Sequence, residues 1–205
     1  MKRFLNGFIK VLKKVFFFVF PFAENLSANR KVEKTLGKDD DFSNGIAILA
    51  EMQEKDAEIV VEKQYNESID AKNKLEDKAK TNIVTVTISV TLIMGAYNIL
   101  NTISTKYGLV WINWVSFFIF ISAISFMIVA GIMSIRVLIA KNEIYKIELK
   151  SYLDKAVLRK DYLDCSSSNN KKNLIRNNMI FASYACIRNA FLCLVAVLII
   201  LAIPI

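Results

Sequence analysis

Side chains that commonly act in catalysis or metal binding are sparse in this chain. Histidine is absent from its 205 residues, which excludes imidazole catalysis, histidine metal sites and histidine pH switches. Asp161 and Asp164 share a helix face at a spacing of three, but no cysteine cluster or glycine-rich loop accompanies them. We therefore interpret this pair as a solvated helix end and predict a non-enzymatic protein that uses no cofactor or metal.

The cysteines give no sign of reactivity either. Cys165, Cys186 and Cys193 have no CxxC spacing, and two of them lie in an apolar stretch that is expected to be helical. Such thiols usually behave as small apolar side chains. We predict three reduced, structural cysteines.

Long uncharged runs dominate the rest of the sequence. Hydrophobic residues make up 54% of the chain and are concentrated in blocks, which is typical of membrane proteins. Residues 82–101 carry no charge, and twenty residues at about 1.5 Å each cross roughly 30 Å of hydrocarbon. A polar connection at 102–108, charged only at Lys106, leads to a second uncharged run over 109–135 that ends at Arg136. The pattern predicts an all-α membrane protein built on a transmembrane helical hairpin over 82–139.

A third membrane helix is predicted at 179–205. The seventeen residues after Arg188 measure about 25 Å as a helix, which just spans if Arg188 reaches the inner headgroups. An interfacial or re-entrant segment is the alternative. If Arg188 instead enters the bilayer, it is a candidate gating charge, because the two hairpin spans contain no ionisable residue.

The distribution of charge orients these helices. Residues 1–81 carry fifteen Lys and Arg against fourteen Asp and Glu, and residues 136–189 carry eleven against five. Basic residues near the spans favour the cytoplasmic side, so both flanks and the N-terminus are predicted inside the cell and the 102–110 turn outside. A nucleic-acid partner is not expected, because the basic residues are matched by acids or flank the spans.

The first 23 residues contain a basic amphipathic pattern, and Pro21 ends the helix that it predicts. Phenylalanine and aliphatic residues fill one side of the predicted helix, and basic residues fill the other. This pattern predicts an interfacial helix whose basic side chains contact anionic lipid headgroups. Those side chains are Arg3, Lys10, Lys13 and Lys14. A signal peptide cleaved at Ala23 and an ordinary buried helix are the alternatives.

The polar segments between the spans are predicted to be cytoplasmic. Residues 24–43 show no long apolar period, so we interpret them as a linker. Residues 44–81 are predicted to form a stalk helix that continues into the first span. Its apolar stripe is narrow, so it needs a second copy of the chain, which we prefer, or a helix over 141–163. Residues 165–173 are predicted to be a loop, so that 140–178 forms a cytoplasmic helix and loop.

Small and polar residues recur on one face of the first predicted span. Their spacing permits close approach of another helix and hydrogen bonds across it. The residues of this polar seam are Thr87, Thr91, Gly95, Asn98 and Thr102. Packing against the second span of the same chain and lining of a pore are the two alternatives. A transporter or proton relay is disfavoured, because neither hairpin span contains an acid or a base.

Residues 73–138 resemble the helical hairpins of small bacterial phage-defence effectors, the Pycsar and SLATT-type transmembrane proteins. The shared features are a polar helix with the step Asp77, Lys78, Ala79, an uncharged span with small residues, a short external turn, and a second span that closes on Arg136. The resemblance implies oligomers that compromise the inner membrane on activation. This chain lacks a recognisable nucleotide-sensing domain and adds a third span, so a trigger would come from a partner or from the infection.

Two functions are therefore expected as alternatives. The first is an oligomeric effector in the bacterial inner membrane that perturbs or permeabilises the bilayer, with lipids and further copies of the chain as its partners. The second is a membrane scaffold or sensor subunit, whose cytoplasmic segments 24–81 and 141–178 recruit a soluble protein from the same operon.

Overall fold

The computed structural model describes residue 16 and residues 20–36, 54–95, 97–107, 110–139 and 144–203. Most of these residues are helical and none of them forms a strand, which confirms the all-α prediction. The helices are α1 (Pro21–Glu33), α2 (Glu54–Gly95), α3 (Tyr97–Tyr107), α4 (Val110–Ile139), a 3₁₀ helix (Leu149–Leu153) and α5 (Lys155–Ala202). Nearly all of the segment 1–19, which includes Arg3, Lys10, Lys13 and Lys14, lies outside the described residues.

Three long helices, α2, α4 and α5, form a bundle in which α2 and α5 run parallel. Hydrogen bonds join Ser68 to Asn173 and Asn82 to Ser183, so residue numbers in α2 and α5 increase in the same direction. Helix α4 runs the opposite way, because Ser134 also contacts Ser183 while Val137 packs beside Ile180. The chain therefore passes along the bundle three times in alternating directions, as the predicted hairpin and third span require.

Residues that face the bundle axis recur at alternating steps of three and four. This spacing is the heptad pattern of coiled coils, in which the residues of one helix pack between those of its neighbours. The buried residues of α4 include Ser116, Phe120, Ala123, Met127, Ala130, Ser134 and Val137, with Met133 beside this row. Those of α5 include Tyr162, Ser166, Asn169, Asn173, Arg176, Ile180, Ser183, Ile187 and Ala190, and Ala182, Ala185, Cys186 and Asn189 beside this row are buried as well. Those of α2 include Val61, Ser68, Leu75, Ala79, Asn82, Ser89 and Ile93.

Two helices of the described chain are long and apolar enough to cross a membrane, α4 over Trp111–Ile139 and α5. Of the most apolar 18-residue stretch in each, only 28% in α4 and 33% in α5 is buried, whereas the core helix of a soluble protein buries most of its apolar surface. The predicted first span, 82–101, covers the end of α2 and the start of α3 on either side of residue 96, and α2 becomes apolar only after Lys80. That span stays a prediction.

The predicted linker at 24–43 is wrong for residues 24–33, which belong to α1. Pro21 occupies the first turn, where a missing N–H costs nothing, and Glu24 and Arg30 lie at the ends that suit their charges. Tertiary contacts add to this local preference, since Asn29 Nδ2 donates to the Ile175 carbonyl oxygen at 3.4 Å. Phe22 packs against the apolar cluster around Cys186, so α1 belongs to the folded bundle.

The predicted boundaries around residue 155 are also wrong. Residues 144–148 have no regular secondary structure and 149–153 form a 3₁₀ helix, so the described part of 141–163 becomes α-helical only at Lys155, where Asp154 Oδ1 accepts a hydrogen bond from the Ala156 N–H at 2.8 Å. The predicted loop at 165–173 lies inside α5, which continues without interruption for 48 residues. No glycine or proline interrupts that stretch, and Ser166, Asn169 and Asn173 within the predicted loop are buried.

The polar end of the bundle is closed by a small core of Val61, Leu158 and Tyr162. We predict that Leu158→Ala lowers the free energy of unfolding by about 2–4 kcal/mol, because it leaves a cavity among these side chains. The neighbouring Val157→Ala is the control, since Val157 is 44% exposed, and it should change that free energy by less than about 0.5 kcal/mol. Thermal unfolding of the detergent-solubilised chain measures both, and equal effects would contradict the packing described here.

Candidate functional site

A hydrogen-bonded junction joins the three long helices inside the apolar part of the bundle. Asn82 Nδ2 of α2 donates to Ser183 Oγ of α5 at 3.1 Å, and the hydroxyls of Ser183 and Ser134 of α4 lie 2.8 Å apart. Ser183 Oγ also lies 3.0 Å from the Ala130 carbonyl oxygen, to which it can donate. All three side chains are buried. Because unpaired polar groups are costly in such surroundings, the junction favours a single register of the three helices.

A charged layer lies toward the polar end of the bundle from this junction. Arg176 of α5 is only 4% exposed, and its Nη1 donates to Asn173 Oδ1 at 3.0 Å. Burial lowers the pKa of Arg176, and the nearby Glu76 carboxylate opposes that change. Lys72 Nζ lies 2.9 Å from Glu76 Oε1. An arginine buried beside a carboxylate stays charged, so this layer holds two positive charges and one negative charge between two apolar clusters.

Two asparagines of α5, Asn169 and Asn173, bond to the segment before the 3₁₀ helix and to α2. Asn169 accepts from the Tyr145 N–H at 2.9 Å and donates to the Tyr145 carbonyl oxygen at 3.3 Å. Its side chain therefore pairs with both backbone groups of Tyr145. Asn173 Nδ2 donates to the Ser68 carbonyl oxygen at 2.7 Å. Composition alone indicated a loop at these residues, whereas their heptad spacing could have identified them as inward-facing.

The predicted polar seam lies on the opposite side of α2 from the junction. Each of its five residues is exposed, and a side chain added at Gly95 would meet no atom within 4 Å. The hydroxyls of Thr87 and Thr91 donate to carbonyl oxygens four residues earlier in the same helix, at 2.9 and 3.0 Å. The alternative that the seam packs on the second span of the same chain is therefore wrong. Asn82, Val86, Ser89 and Ile93 of α2 face the bundle instead.

Arg188 lies on the outer surface of α5, beside the inward-facing Ile187. Its Nε and Nη2 donate to Asn189 Oδ1 at 3.2 and 3.1 Å. Tyr184 and Leu192, one turn away on either side, are exposed as well. Arg188 therefore lies among exposed apolar side chains and outside the bundle core.

Lys106, the single charge of the predicted turn, contacts the end of α5. Its Nζ donates to the carbonyl oxygens of Leu201 and Ile203 at 2.7 and 2.8 Å. A lysine at this position satisfies carbonyl groups that a helix leaves unpaired at its C-terminus. The contact fastens α5 to α3.

The candidate carboxylates and cysteines take part in hydrogen bonding and packing. Asp161 accepts a hydrogen bond from the Ser151 hydroxyl and is partly buried, so its interpretation as a solvated helix end is wrong. Cys165, Cys186 and Cys193 are free thiols, and Cys186 is buried, as predicted. Among the described residues, no group of three or more acidic or cysteine side chains could hold a metal ion.

Comparison with protein-family models, curated proteins and solved structures gives no match to this chain. The resemblance of residues 73–138 to the phage-defence hairpins thus stays a prediction.

We predict that Ser183→Ala lowers the free energy of unfolding by about 1–2 kcal/mol, because it leaves the Asn82 amide without its partner in an apolar core. Ser122→Ala is the matched control, since that exposed hydroxyl bonds only to the Phe118 carbonyl oxygen of its own helix. Unfolding in detergent micelles measures both variants. A loss for Ser122→Ala as large as that for Ser183→Ala would show that the junction contributes nothing specific.

Cys165 should be a slow nucleophile. Burial, followed by the Asp161 and Asp164 carboxylates, raises its thiol pKa to about 11. Since the thiolate is the reactive form, we expect alkylation at pH 8 to be roughly a hundredfold slower than for an ordinary cysteine of pKa about 8.5. The rate should still rise with pH above 9. Iodoacetamide labelling of the Cys186→Ala/Cys193→Ala chain measures this, and a plateau near pH 9 would contradict it.

Proposed function

We propose that this protein is a multi-pass protein of the bacterial inner membrane with its N-terminus in the cytoplasm. The support is a belt of exposed apolar side chains around the bundle. The members of the belt include Val84, Ile88 and Leu92 of α2, Phe117, Phe118, Ile121 and Ile128 of α4, and Phe191, Val195 and Ile199 of α5. Exposure of this belt to water would cost about 25 cal/mol per Å² of apolar surface, whereas the hydrocarbon of a bilayer would cover it. Trp111 and Trp114, both exposed at one end, suit the outer headgroup level.

We further propose that the chain acts as an oligomeric, non-enzymatic effector that perturbs the bilayer. One observation carries this proposal, namely that the polar seam of α2 and α3 points away from the bundle, among the exposed apolar residues. The Asn98 side chain makes no hydrogen bond with the described residues and is exposed. In hydrocarbon, an unsatisfied amide costs several kcal/mol, on the order of 2–7.

A second copy of the chain satisfies this seam better than lipid does. Gly95 and the threonines allow close approach of backbones, and the Asn98 amide can bond across the contact. The same polar face could line a water-filled path when several copies assemble. In this proposal, contacts between the seams of several copies open the path through which the membrane leaks. This agrees with the resemblance of residues 73–138 to antiphage effectors.

Membrane depolarisation tests this proposal. Induced expression in bacteria loaded with a potential-sensitive dye should depolarise the wild-type cells, and Thr91→Leu/Asn98→Leu should abolish the effect by removing the amide and the space for close approach. Ser122→Leu, a similar change on the exposed surface of α4, should leave depolarisation intact. An unchanged potential in cells with verified amounts of wild-type protein in the membrane would overturn the effector function.

The scaffold function is the second candidate, and the length of the polar part favours it. The described part of helix α2 starts at Glu54, 28 residues before the predicted first span, which corresponds to about 42 Å of helix beyond the bilayer. Such a stalk could recruit a soluble partner encoded in the same operon. Co-purification of the operon products with the full chain tests this function, and a stable complex without any depolarisation would favour it over the effector.

A further inference from the structure

A small cavity lies in the apolar part of the bundle, where the end of α2 and the start of α3 approach α4 and α5. Its volume is about 170 Å³. Phe120 and Val197 are buried and form its floor, whereas Leu92 and Leu198 are 64% and 50% exposed and lie at its mouth. The residues that line the cavity are Leu92 of α2, Ile99 of α3, Phe120 of α4, and Leu194, Val197 and Leu198 of α5.

The lining determines what kind of molecule the cavity can hold. All six side chains are apolar, so none of them can hydrogen-bond to a ligand or to water. An apolar cavity of about 150 Å³ stays dry and binds small hydrocarbons, whereas pockets for drug-sized ligands begin at roughly 300 Å³. An empty cavity would also leave its walls without dispersion contacts. The cavity therefore suits a short stretch of hydrocarbon.

The proposed placement in the membrane puts this cavity near the middle of the bilayer. Leu92 lies ten residues after Asn82, where the predicted first span begins. Ten residues of helix measure about 15 Å, which is half of a hydrocarbon layer of roughly 30 Å. At this depth the mouth of the cavity faces the acyl chains of lipids, because headgroups and water lie about 15 Å away on either side.

An acyl chain fits this cavity better than a second copy of the protein does. A helix with its side chains is about 10–12 Å wide and cannot enter so small a space. The proposed contact between copies is the polar seam, which includes Thr91, and Leu92 points about 100° away from Thr91 around the helix. Copies that meet at the seam therefore leave the mouth of the cavity facing lipid.

We propose that the cavity is a binding site for part of an acyl chain of a membrane phospholipid. This inference rests on the proposed membrane location of the protein, and it does not require the effector function. The bound chain fills a space between α2, α3 and α5 that protein side chains leave open. It thereby holds the end of α2 and the start of α3 against α5, while the polar seam stays accessible to another copy.

Photo-cross-linking to lipid tests this site. The full chain is reconstituted into phosphatidylethanolamine and phosphatidylglycerol vesicles that contain a phosphatidylcholine with a diazirine halfway along one acyl chain. After irradiation, mass spectrometry should find at least roughly threefold more lipid on Leu194 than on Ile121, because a chain held in a cavity dissociates more slowly than one passing an open helix face. Ile121 is exposed and lies at the same depth as Phe120, its neighbour in α4.

A variant that fills the cavity gives a second measurement. Leu198→Trp should occupy the mouth and lower the labelling of Leu194 by at least roughly threefold, because the larger ring takes the space of the acyl chain. Ile199→Trp is the matched control, since Ile199 is 58% exposed, adjacent in sequence and absent from the lining. It should leave the labelling of Leu194 unchanged.

The outcomes separate this inference from the proposed function. Equal labelling of Leu194 and Ile121 in the wild-type chain would overturn the lipid site and leave the membrane location standing. Absence of labelling at both residues would overturn the membrane location as well. Efficient bis-maleimide cross-linking between copies through Leu198→Cys, with little lipid on Leu194, would assign the cavity to a side chain of a second copy and overturn the lipid site.

Discussion

The bundle depends on a single constraint, the alternation of inward-facing residues at steps of three and four along α2, α4 and α5. This spacing keeps one narrow face of each helix on the common axis over its whole length. Most of the apolar surface of α4 and α5 remains exposed. The same arrangement therefore gives a water-compatible stalk where the outer residues are charged and a lipid-compatible belt where they are apolar.

Polar residues on the inward faces give this packing its specificity. Apolar side chains of similar size could slide along one another by a whole heptad with little penalty, whereas Asn82, Ser134 and Ser183 satisfy their hydrogen bonds in one alignment only. The buried Arg176 and Asn173 act in the same way nearer the stalk. Polar residues in coiled-coil cores commonly trade some stability for a defined register, and the junction and the charged layer are consistent with that role.

Predictions from the sequence were correct for features that depend on composition. They were wrong where the spacing of residues along a helix determines which side chains face inward. The uncharged run over 109–135 matches α4 closely, because twenty or more apolar residues have few alternatives to a helix. The run at 165–173 was expected to be a loop because serine and asparagine favour turns locally, yet their heptad positions place them against α2. In the stalk, the apolar Ile59 is 56% exposed, while the inward face includes small or polar residues such as Ser68 and Ala79. The orientation of the polar seam away from the bundle could not be predicted, because it depends on which face of α2 the helices α4 and α5 occupy.

Lys106 has a consequence for how the bundle can move. Its two hydrogen bonds to the last carbonyl groups of α5 hold α3 and α5 together at the end away from the stalk. At the opposite end, the bundle is closed by the apolar core of Val61, Leu158 and Tyr162 and by the hydrogen bonds between Asn169 and Tyr145. Movement of the end of α5 away from α3 would therefore deprive the carbonyl groups of Leu201 and Ile203 of the Lys106 donor.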